Sequence, residues 1–373
     1  MEPQRYIGMM SGTSLDGIDA VVLEVNEHSC RITHTAGSRF PDKLRAELSE
    51  LIRANQDIPL EDMVDLHIAL AGCYAEAVNT LLEKANLSAT EVAAVGNHGQ
   101  TVRHCPDANP PYSLQLGDPQ RLADLTGITV VGNFRQADLD LGGQGAPLVP
   151  AFHNAVFAKQ AESRAAVNIG GIANITLLPE DGAITGFDTG PGNTLMDEWT
   201  YRHHQRPYDY EGQWAASGQV NPLLLAQLAS DLWLQSPPPK STGREYFNLQ
   251  WLDTILNRLG MHISPADVQA TLCELTAATI AKALLNQNTP TTVAVCGGGA
   301  HNLQLMRRLR AMLPEAELTT TADWGIDPDW VEAAAFAWLA DARLKGVAGN
   351  VPSVTGASGA TLLGDVFQPA NRA

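Results

Sequence analysis

The stretch Gly8-Met9-Met10-Ser11-Gly12-Thr13-Ser14-Leu15-Asp16-Gly17-Ile18-Asp19 sets glycines and hydroxyls between two apolar segments, Arg5 to Met10 and Ile18 to Val25. Read as a hairpin, it is a turn that can aim backbone N–H groups and hydroxyls at a phosphate, because glycine reaches positive φ and lets the main chain approach a ligand. Ordinary turns use the same residue types, so the weight falls on recurrence. Residues 165–178 read Ala-Ala-Val-Asn-Ile-Gly-Gly-Ile-Ala-Asn-Ile-Thr-Leu-Leu, again strand, glycine turn, strand. The offset is about half the chain and indicates an internal duplication. A third cluster, Val293-Ala294-Val295-Cys296-Gly297-Gly298-Gly299-Ala300-His301-Asn302, runs from a buried-type strand through glycines into a helix expected from about His301. A strand leading through glycines to a helix N-terminus is a common nucleotide cradle.

The elements that must position these turns alternate between strand and helix, which gives an α/β protein. Helices are expected over 42–54 and Leu60 to Leu82, then a short strand, Val92 to Val95, that runs out into a polar loop, Gly96-Asn97-His98-Gly99-Gln100-Thr101. A second strand, Ile128 to Val131, ends in Gly132-Asn133-Phe134-Arg135. In the second half a strand at 183–187 ends at Asp188-Thr189-Gly190-Pro191-Gly192-Asn193, followed by a helix through Leu195, Met196 and Trp199. A polar, Pro-rich segment at 236–245 precedes helices at about 265–287 and 329–344, with a strand at 292–296. We divide the chain near residue 160, into domains 1–160 and 161–373.

Composition narrows the function. The 373 residues are 45% apolar and carry 32 glycines, enough for two cores. The net charge of −17, from 24 basic and 41 acidic residues, argues against a nucleic-acid or anionic-membrane surface. Five scattered cysteines without a CxxC point to reduced thiols and no structural zinc. No charged-then-apolar leader and no apolar run of membrane-spanning length is visible, so a cytoplasmic protein is expected. GxxxxGK[ST], GxGxxG after a strand and GxSxG are all absent, which removes the P-loop, Rossmann and serine-hydrolase readings.

Two hairpin turns and a strand-GGG-helix motif resemble the sugar kinase, Hsp70 and actin superfamily. More closely, the N-terminal motif is similar to the signature of the anhydro-N-acetylmuramic acid kinases. Asn97-His98-Gly99-Gln100-Thr101, Gly142 to Pro150, Asn168-Ile169-Gly170-Gly171, Phe187 to Asn193, Lys240-Ser241-Thr242-Gly243-Arg244-Glu245 and Cys296 to Gly299 resemble that family in order, across nearly the whole chain. The resemblance implies two ribonuclease H-like (actin/hexokinase-type) domains, each with a mixed central sheet, flanking an interdomain cleft. It also implies a cytoplasmic homodimer using ATP and Mg²⁺, with no nucleic-acid or membrane partner. Met10 stands where the superfamily places an acid, so Asp16 and Asp19 are the candidates near Mg²⁺, and their metal role is left unassigned beside a turn-shaping one. Arg135-Gln136-Ala137-Asp138 replaces a run of arginines in close relatives, which keeps Arg135 alone as a candidate.

The implied reaction phosphorylates O6 of 1,6-anhydro-N-acetylmuramic acid while water opens the anhydro bridge at C1. It gives N-acetylmuramic acid 6-phosphate and ADP, in cell-wall recycling. The departing O6 takes a phosphoryl group in place of a proton, so one carboxylate base suffices where ordinary glycoside cleavage needs two. Asp188 is assigned that base, against the alternative of a helix N-cap or turn aspartate. Glu332 either orients the water or is an acid favoured by a helix start. Gly12, Thr13, Ser14, Leu15, Asp16, Gly17, Ile18 and Asp19 are expected on ATP, with Gly170, Gly171 and Asn174 opposite and Gly297, Gly298, Gly299 and Asn302 lining the adenosine. His98, Gln100, Thr101, Arg135 and Lys240, one of only six lysines, are candidates for the sugar, its lactyl carboxylate or phosphate. Phe336 and Trp338 are expected in the core. The competing readings are a kinase of another anhydrosugar, such as levoglucosan, and a non-catalytic ATP-binding protein of Hsp70 or actin type.

Overall fold

The computed structural model describes residues 3–12, 15, 17–26, 29–53, 59–180, 184–287 and 290–370. The chain divides into two units: residues 1–156 with 330–373, and residues 157–329. In the first lie β1 (Gln4–Ser11), β2 (Ile18–Val25), β3 (Cys30–Ser38), β4 (Ala94–Cys105), β5 (Tyr112–Leu116) and β6 (Val130–Gly132). The second holds β7 (Arg164–Ile169), β8 (Ile172–Leu178), β9 (Thr185–Pro191), β10 (Thr292–Cys296) and β11 (Glu317–Thr320), and β12 (Asp365–Phe367) returns to the first.

The two sheets repeat one plan. In the first unit the order is β12-β6-β4-β1-β2-β3, with β5 paired to β4. β1, β2 and β3 form an antiparallel meander, and β4 and β6 follow in parallel. In the second unit the order is β11-β10-β7-β8-β9, again an antiparallel meander followed by two parallel strands. This is the ribonuclease H-like arrangement, present twice, and it accounts for the repeat read in the sequence. Parallel strands covered on both faces read as continuous apolar runs. Residues 293–296 do so, as does Arg164–Ile169 apart from Arg164 and the buried Asn168, with only the first residue of each strand partly exposed.

In the first unit the helix Val331–Lys345 lies on β1 and β4 with almost no side chain between them. Gly8 and Gly96 are neighbours across that parallel pair. A Cβ on Gly8 would sit 1.9 Å from the Ala333 carbonyl oxygen, and one on Gly96 2.0 Å from that of Phe336. The helix meets them with Ala333, Ala337 and Ala340. This packing brings residues 330–373 into the first unit and corrects the expected domain 161–373. The chain crosses over near 156, close to the expected 160, but its last segment returns.

The helix Pro265–Leu285 corrects a second expectation. Against the reading that no apolar run reaches membrane-spanning length, it is long and apolar enough to cross a membrane, yet 78% of that stretch is buried, in the core of the second unit. None of the five cysteines forms a disulfide.

The backbone contact at Gly96 yields a test. Gly96→Ala is expected to cost about 3 kcal/mol, because the added methyl collides with main chain that cannot rotate away. Gly72→Ala, in the helix Leu60–Ala85 with open space around it, is expected to be neutral or stabilising by up to about 1 kcal/mol. Denaturant unfolding of both variants beside the parent measures the difference.

Candidate active site

In the second unit, β7 and β8 are joined by Gly170-Gly171 alone. The Gly170 carbonyl accepts from the Asn193 N–H (2.8 Å), and the Gly171 carbonyl accepts from those of Gly192 (2.9 Å) and Thr194 (3.1 Å). The turn is thereby tied to the start of the helix Thr194–His204. Gly192 is required there, since a Cβ would lie 2.3 Å from the Gly170 oxygen. The third glycine cluster seats on the end of β7 beside this turn. Gly297 has φ 75° and would place a Cβ 2.5 Å from Asn168 Oδ1, while a Cβ on Gly299 would meet Ile169 Cγ2 at 2.3 Å. Gly298 is exposed. Asn302 caps the helix Leu303–Met312 through its Oδ1, which accepts from the Leu305 N–H at 3.0 Å. Its side chain is therefore committed to forming the helix start.

Asp188 lies inside β9, not at a strand's end as expected. It pairs with Asn174 of β8, which in turn pairs with Asn168 of β7, so the three polar residues form a row across an otherwise apolar sheet. The register shifts at this point, leaving Thr189 as the extra residue of a bulge. Bulges re-aim side chains and recur beside active sites. The Asp188 N–H donates to the Lys240 carbonyl (3.2 Å), and its Oδ2 accepts from the Thr242 N–H (2.9 Å). The residue is 7% exposed. The cap position of the following helix belongs to Asn193, which removes the capping alternative for Asp188.

Lys240 reaches this region with its main chain more than its charge. Its Nζ donates to the carbonyls of Trp233 (3.2 Å) and Leu234 (3.3 Å) and stands 4.3 Å over the Trp233 ring. Burial pushes its pKa below the usual lysine value, Lys282 acts in the same direction, and Asp188 opposes them. A residue missed in the sequence lies four positions on: the Arg244 guanidinium is 3.1–3.6 Å from where a Gly171 side chain would begin.

In the first unit the loop after β1 is pinned at both ends. The Gly12 carbonyl accepts from the Leu15 N–H (3.1 Å) and from Gln100 Nε2 (3.3 Å). Leu15 is buried with φ 58°, and a Cβ on Gly17 would lie 2.3 Å from the Ser38 oxygen. Ile18 opens β2 as a core residue, leaving only its backbone for a ligand, and Asp19 points outward. Thr13, Ser14 and Asp16 lie outside the described residues. Among the described residues no three His, Cys, Asp or Glu side chains gather as a metal site.

Asn97 to Thr101, expected as a loop, belong to β4. The ladder continues because β1 pairs with β4 as far as Gln100 and β5 takes over from there. His98 is buried, its ring 4.7 Å from that of Phe336. Its Nε2 accepts from Arg135 Nη2 (2.8 Å) and Nε (3.2 Å), which assigns the proton to Nδ1. Burial, then the Arg135 charge, hold His98 well below the usual histidine value. His104 is held down to about 4 by burial and by Arg135, and its Nδ1 meets Ser113 Oγ at 3.0 Å. Arg135 Nη1 donates to the Gly145 carbonyl (2.8 Å). The Gly145 N–H donates to the fully buried Asp138, whose other oxygen accepts from Asn350 (2.8 Å) and Thr355 (2.7 Å). Thr101 Oγ1 accepts from Gln115 Nε2 (3.1 Å), and Gln100 Oε1 is buried with no partner among the described residues.

Glu332 sits half-buried in the first turn of the helix Val331–Lys345, where the positive helix end favours an acid. It belongs to the first unit and Asp188 to the second. Phe336 is buried as expected, against His98 and, at 5.3 Å, Phe134.

The second unit holds glycine-lined turns and a buried carboxylate at a strand bulge, and the first holds an arginine braced by a neutral histidine. A family model described as anhydro-N-acetylmuramic acid kinase matches residues 4–369. An anhydro-N-acetylmuramic acid kinase of Xylella fastidiosa is 48% identical over 97% of this chain and 95% of its own. One of Thiobacillus denitrificans is 50% identical over 98% and 97%. Among solved structures, the activator of the 2-hydroxyisocaproyl-CoA dehydratase from Clostridium difficile with bound ADPNP aligns over 92% of this chain and 96% of its own, with a TM-score of 0.48 and 12% identity. By the extent of the family match and the identity to these relatives, the chain belongs to the anhydro-N-acetylmuramic acid kinase family.

Proposed function

We infer that this protein uses ATP and water to convert 1,6-anhydro-N-acetylmuramic acid into N-acetylmuramic acid 6-phosphate and ADP, a step of cell-wall recycling. The observation that carries the residue assignment is Asp188: a buried carboxylate at a strand bulge, in the unit that also holds the Gly170-Gly171 turn and the Gly297–Gly299 cluster. Those glycines fit a nucleotide: packed groups lie where side chains of Gly171, Gly297 and Gly299 would go, while Gly170 and Gly298 leave main chain open to phosphate and adenosine. ATP supplies the phosphoryl group that O6 acquires. Mg²⁺ would neutralise phosphate charge, with Asp16 and Asp19 as the proposed carboxylates near it.

The chain's own groups do the rest. Asp188 takes a proton from water as the water oxygen bonds to C1. The C1–O6 bond breaks, its electron pair stays on O6, and O6 bonds to the γ-phosphorus of ATP as the bond from that phosphorus to its bridging oxygen breaks and its pair leaves with ADP. The Thr242 N–H holds one carboxylate oxygen in place, which keeps the base oriented between turnovers. In the first unit, Arg135 is proposed to bind the lactyl carboxylate. His98, neutral through burial, braces the guanidinium without competing for its charge. Gln100 Oε1, buried and without a partner among the described residues, suits a sugar hydroxyl. Glu332 is proposed to help order the attacking water. A homodimer and a cytoplasmic location complete the proposal on the family resemblance.

Turnover in ¹⁸O-water tests the reaction: label at C1 of a product phosphorylated on O6 is expected, and unlabelled product refutes it. In the same assay Asp188→Asn should fold and bind ATP normally while turnover falls about 10²–10⁴-fold; near-normal turnover removes Asp188 as the base.

Arg135→Gln should lower kcat/KM for the lactyl sugar about 10- to 100-fold, the worth of a charged hydrogen bond, and leave levoglucosan, which has no lactyl group, nearly unaffected. Steady-state assays with both sugars check this, and equal losses refute a carboxylate contact.

His98, His104 and His153 titrate well below, about 4 and about 3 in the folded chain, all depressed by burial first. Their contribution to stability is complete above the unfolded value of about 6.5 and is lost as pH falls through the folded values. Denaturant unfolding between pH 7 and 5 should show stability falling as pH drops below about 6.5, by on the order of 1 kcal/mol per pH unit for each histidine at most, and His104→Asn should lessen the fall.

A further inference from the structure

The segment 240–244 is built around Asp188. Its first residue accepts the Asp188 N–H, and Thr242 donates to the Asp188 carboxylate. The same short arch carries two cations. Lys240 is turned away, its ammonium lodged on the carbonyls that end the helix Leu232–Gln235 and on the Trp233 ring. Arg244 is turned inward, its Nε, Cζ and Nη2 lying 3.1, 3.6 and 3.4 Å from the Cβ position of Gly171. The glycine therefore makes room for a guanidinium as well as for a close backbone approach. Its neighbour along the turn, Gly170, has only the Ile172 oxygen near its Cβ position, at 3.7 Å. The proposed base and the turn proposed to hold phosphate thus share one arginine-bearing support.

We propose that Arg244 is a catalytic residue of this protein: its guanidinium contacts the phosphoryl group during transfer and neutralises the charge spread over its oxygens. This rests on the reading above that Gly170-Gly171 meets the phosphates. A planar, permanently charged fork suits this role because it can bond two phosphoryl oxygens at once, and transfer itself asks mainly for positioning and charge neutralisation. The contact strengthens as the phosphorus leaves its bridging oxygen, so it lowers the barrier more than it tightens nucleotide binding. Hydrogen bonding of the arch to Asp188 then couples the two halves of the reaction. The support that aims the base at water also aims the cation at the phosphoryl group.

The test uses the full chain, 1,6-anhydro-N-acetylmuramic acid, ATP, and the variants Arg244→Gln and Arg244→Lys. Arg244→Gln should lower kcat about 10²–10³-fold while the Kd for ADP, measured by calorimetry, stays within about threefold. The extra affinity of ADP with aluminium fluoride over ADP alone should be lost with it. Arg244→Lys should recover about tenfold of the lost kcat, and added guanidinium ion should partly rescue Arg244→Gln. A kcat within about threefold of the parent overturns the proposal. So does a loss of ADP affinity in proportion to kcat, because the residue would then only shape the turn. If Arg244→Gln does not fold, as judged by circular dichroism, Arg244→Lys is decided on the same two criteria. A parent protein that does not phosphorylate the sugar overturns the functional reading itself, whereas an active parent with an active Arg244→Gln overturns only the role of Arg244.

Discussion

The organisation of the first unit depends on a helix brought so close to a sheet that two glycines are needed to admit it. Gly8 and Gly96 face the main chain of Val331–Lys345 with less room than a methyl group requires. The close approach gives Phe336 its place against His98 and Phe134. With that ring behind it, His98 is dry and neutral and offers a lone pair to Arg135. Arg135 is held from its other end by Gly145, Gly145 by Asp138, and Asp138 by Asn350 and Thr355. A helix–sheet distance is thus passed on through packed rings and hydrogen bonds to the orientation of one guanidinium.

The second unit obtains its order differently. Its sheet carries polar residues in register, Asn168, Asn174 and Asp188, on three adjacent strands. Burying such a row is costly unless each group is bonded. Asp188 is held by an arch outside the sheet, and Asn168 Oδ1 lies under Gly297 and within 3.9 Å of the Cys296 thiol. The bulge at Thr189 gives Asp188 an orientation that a regular pleat would not.

What was legible beforehand follows from which interactions are local. The hairpins at Gly12 and Gly170-Gly171, the strand Thr292–Cys296 and the helix from Leu60 announce themselves through periodicity and turn residues, which act over a few positions. β4 did not, because Asn97 to Thr101 look like a loop until a neighbouring strand supplies the ladder on each side. Asp188 stands out through its surrounding motif, but its place within β9 depends on pairing with β8. Lys240 drew attention through rarity, yet the contacts of its ammonium are set by a helix end that no local pattern marks. Arg244 and Asp138 are hidden for the complementary reason: each stands in a polar stretch that reads as solvated surface, and each gains meaning only from a partner far along the chain, Gly171 for one and Asn350 and Thr355 for the other.

The chain path has a bearing on biosynthesis. Residues 157–329 form a unit inserted into another whose two parts lie on either side of it. On a ribosome the inserted unit has all of its sequence once residue 329 has emerged, while the surrounding one still lacks the helix that covers β1 and β4. Gly8 and Gly96 then present a bare seam during translation, and the nascent protein completes its first-begun half last.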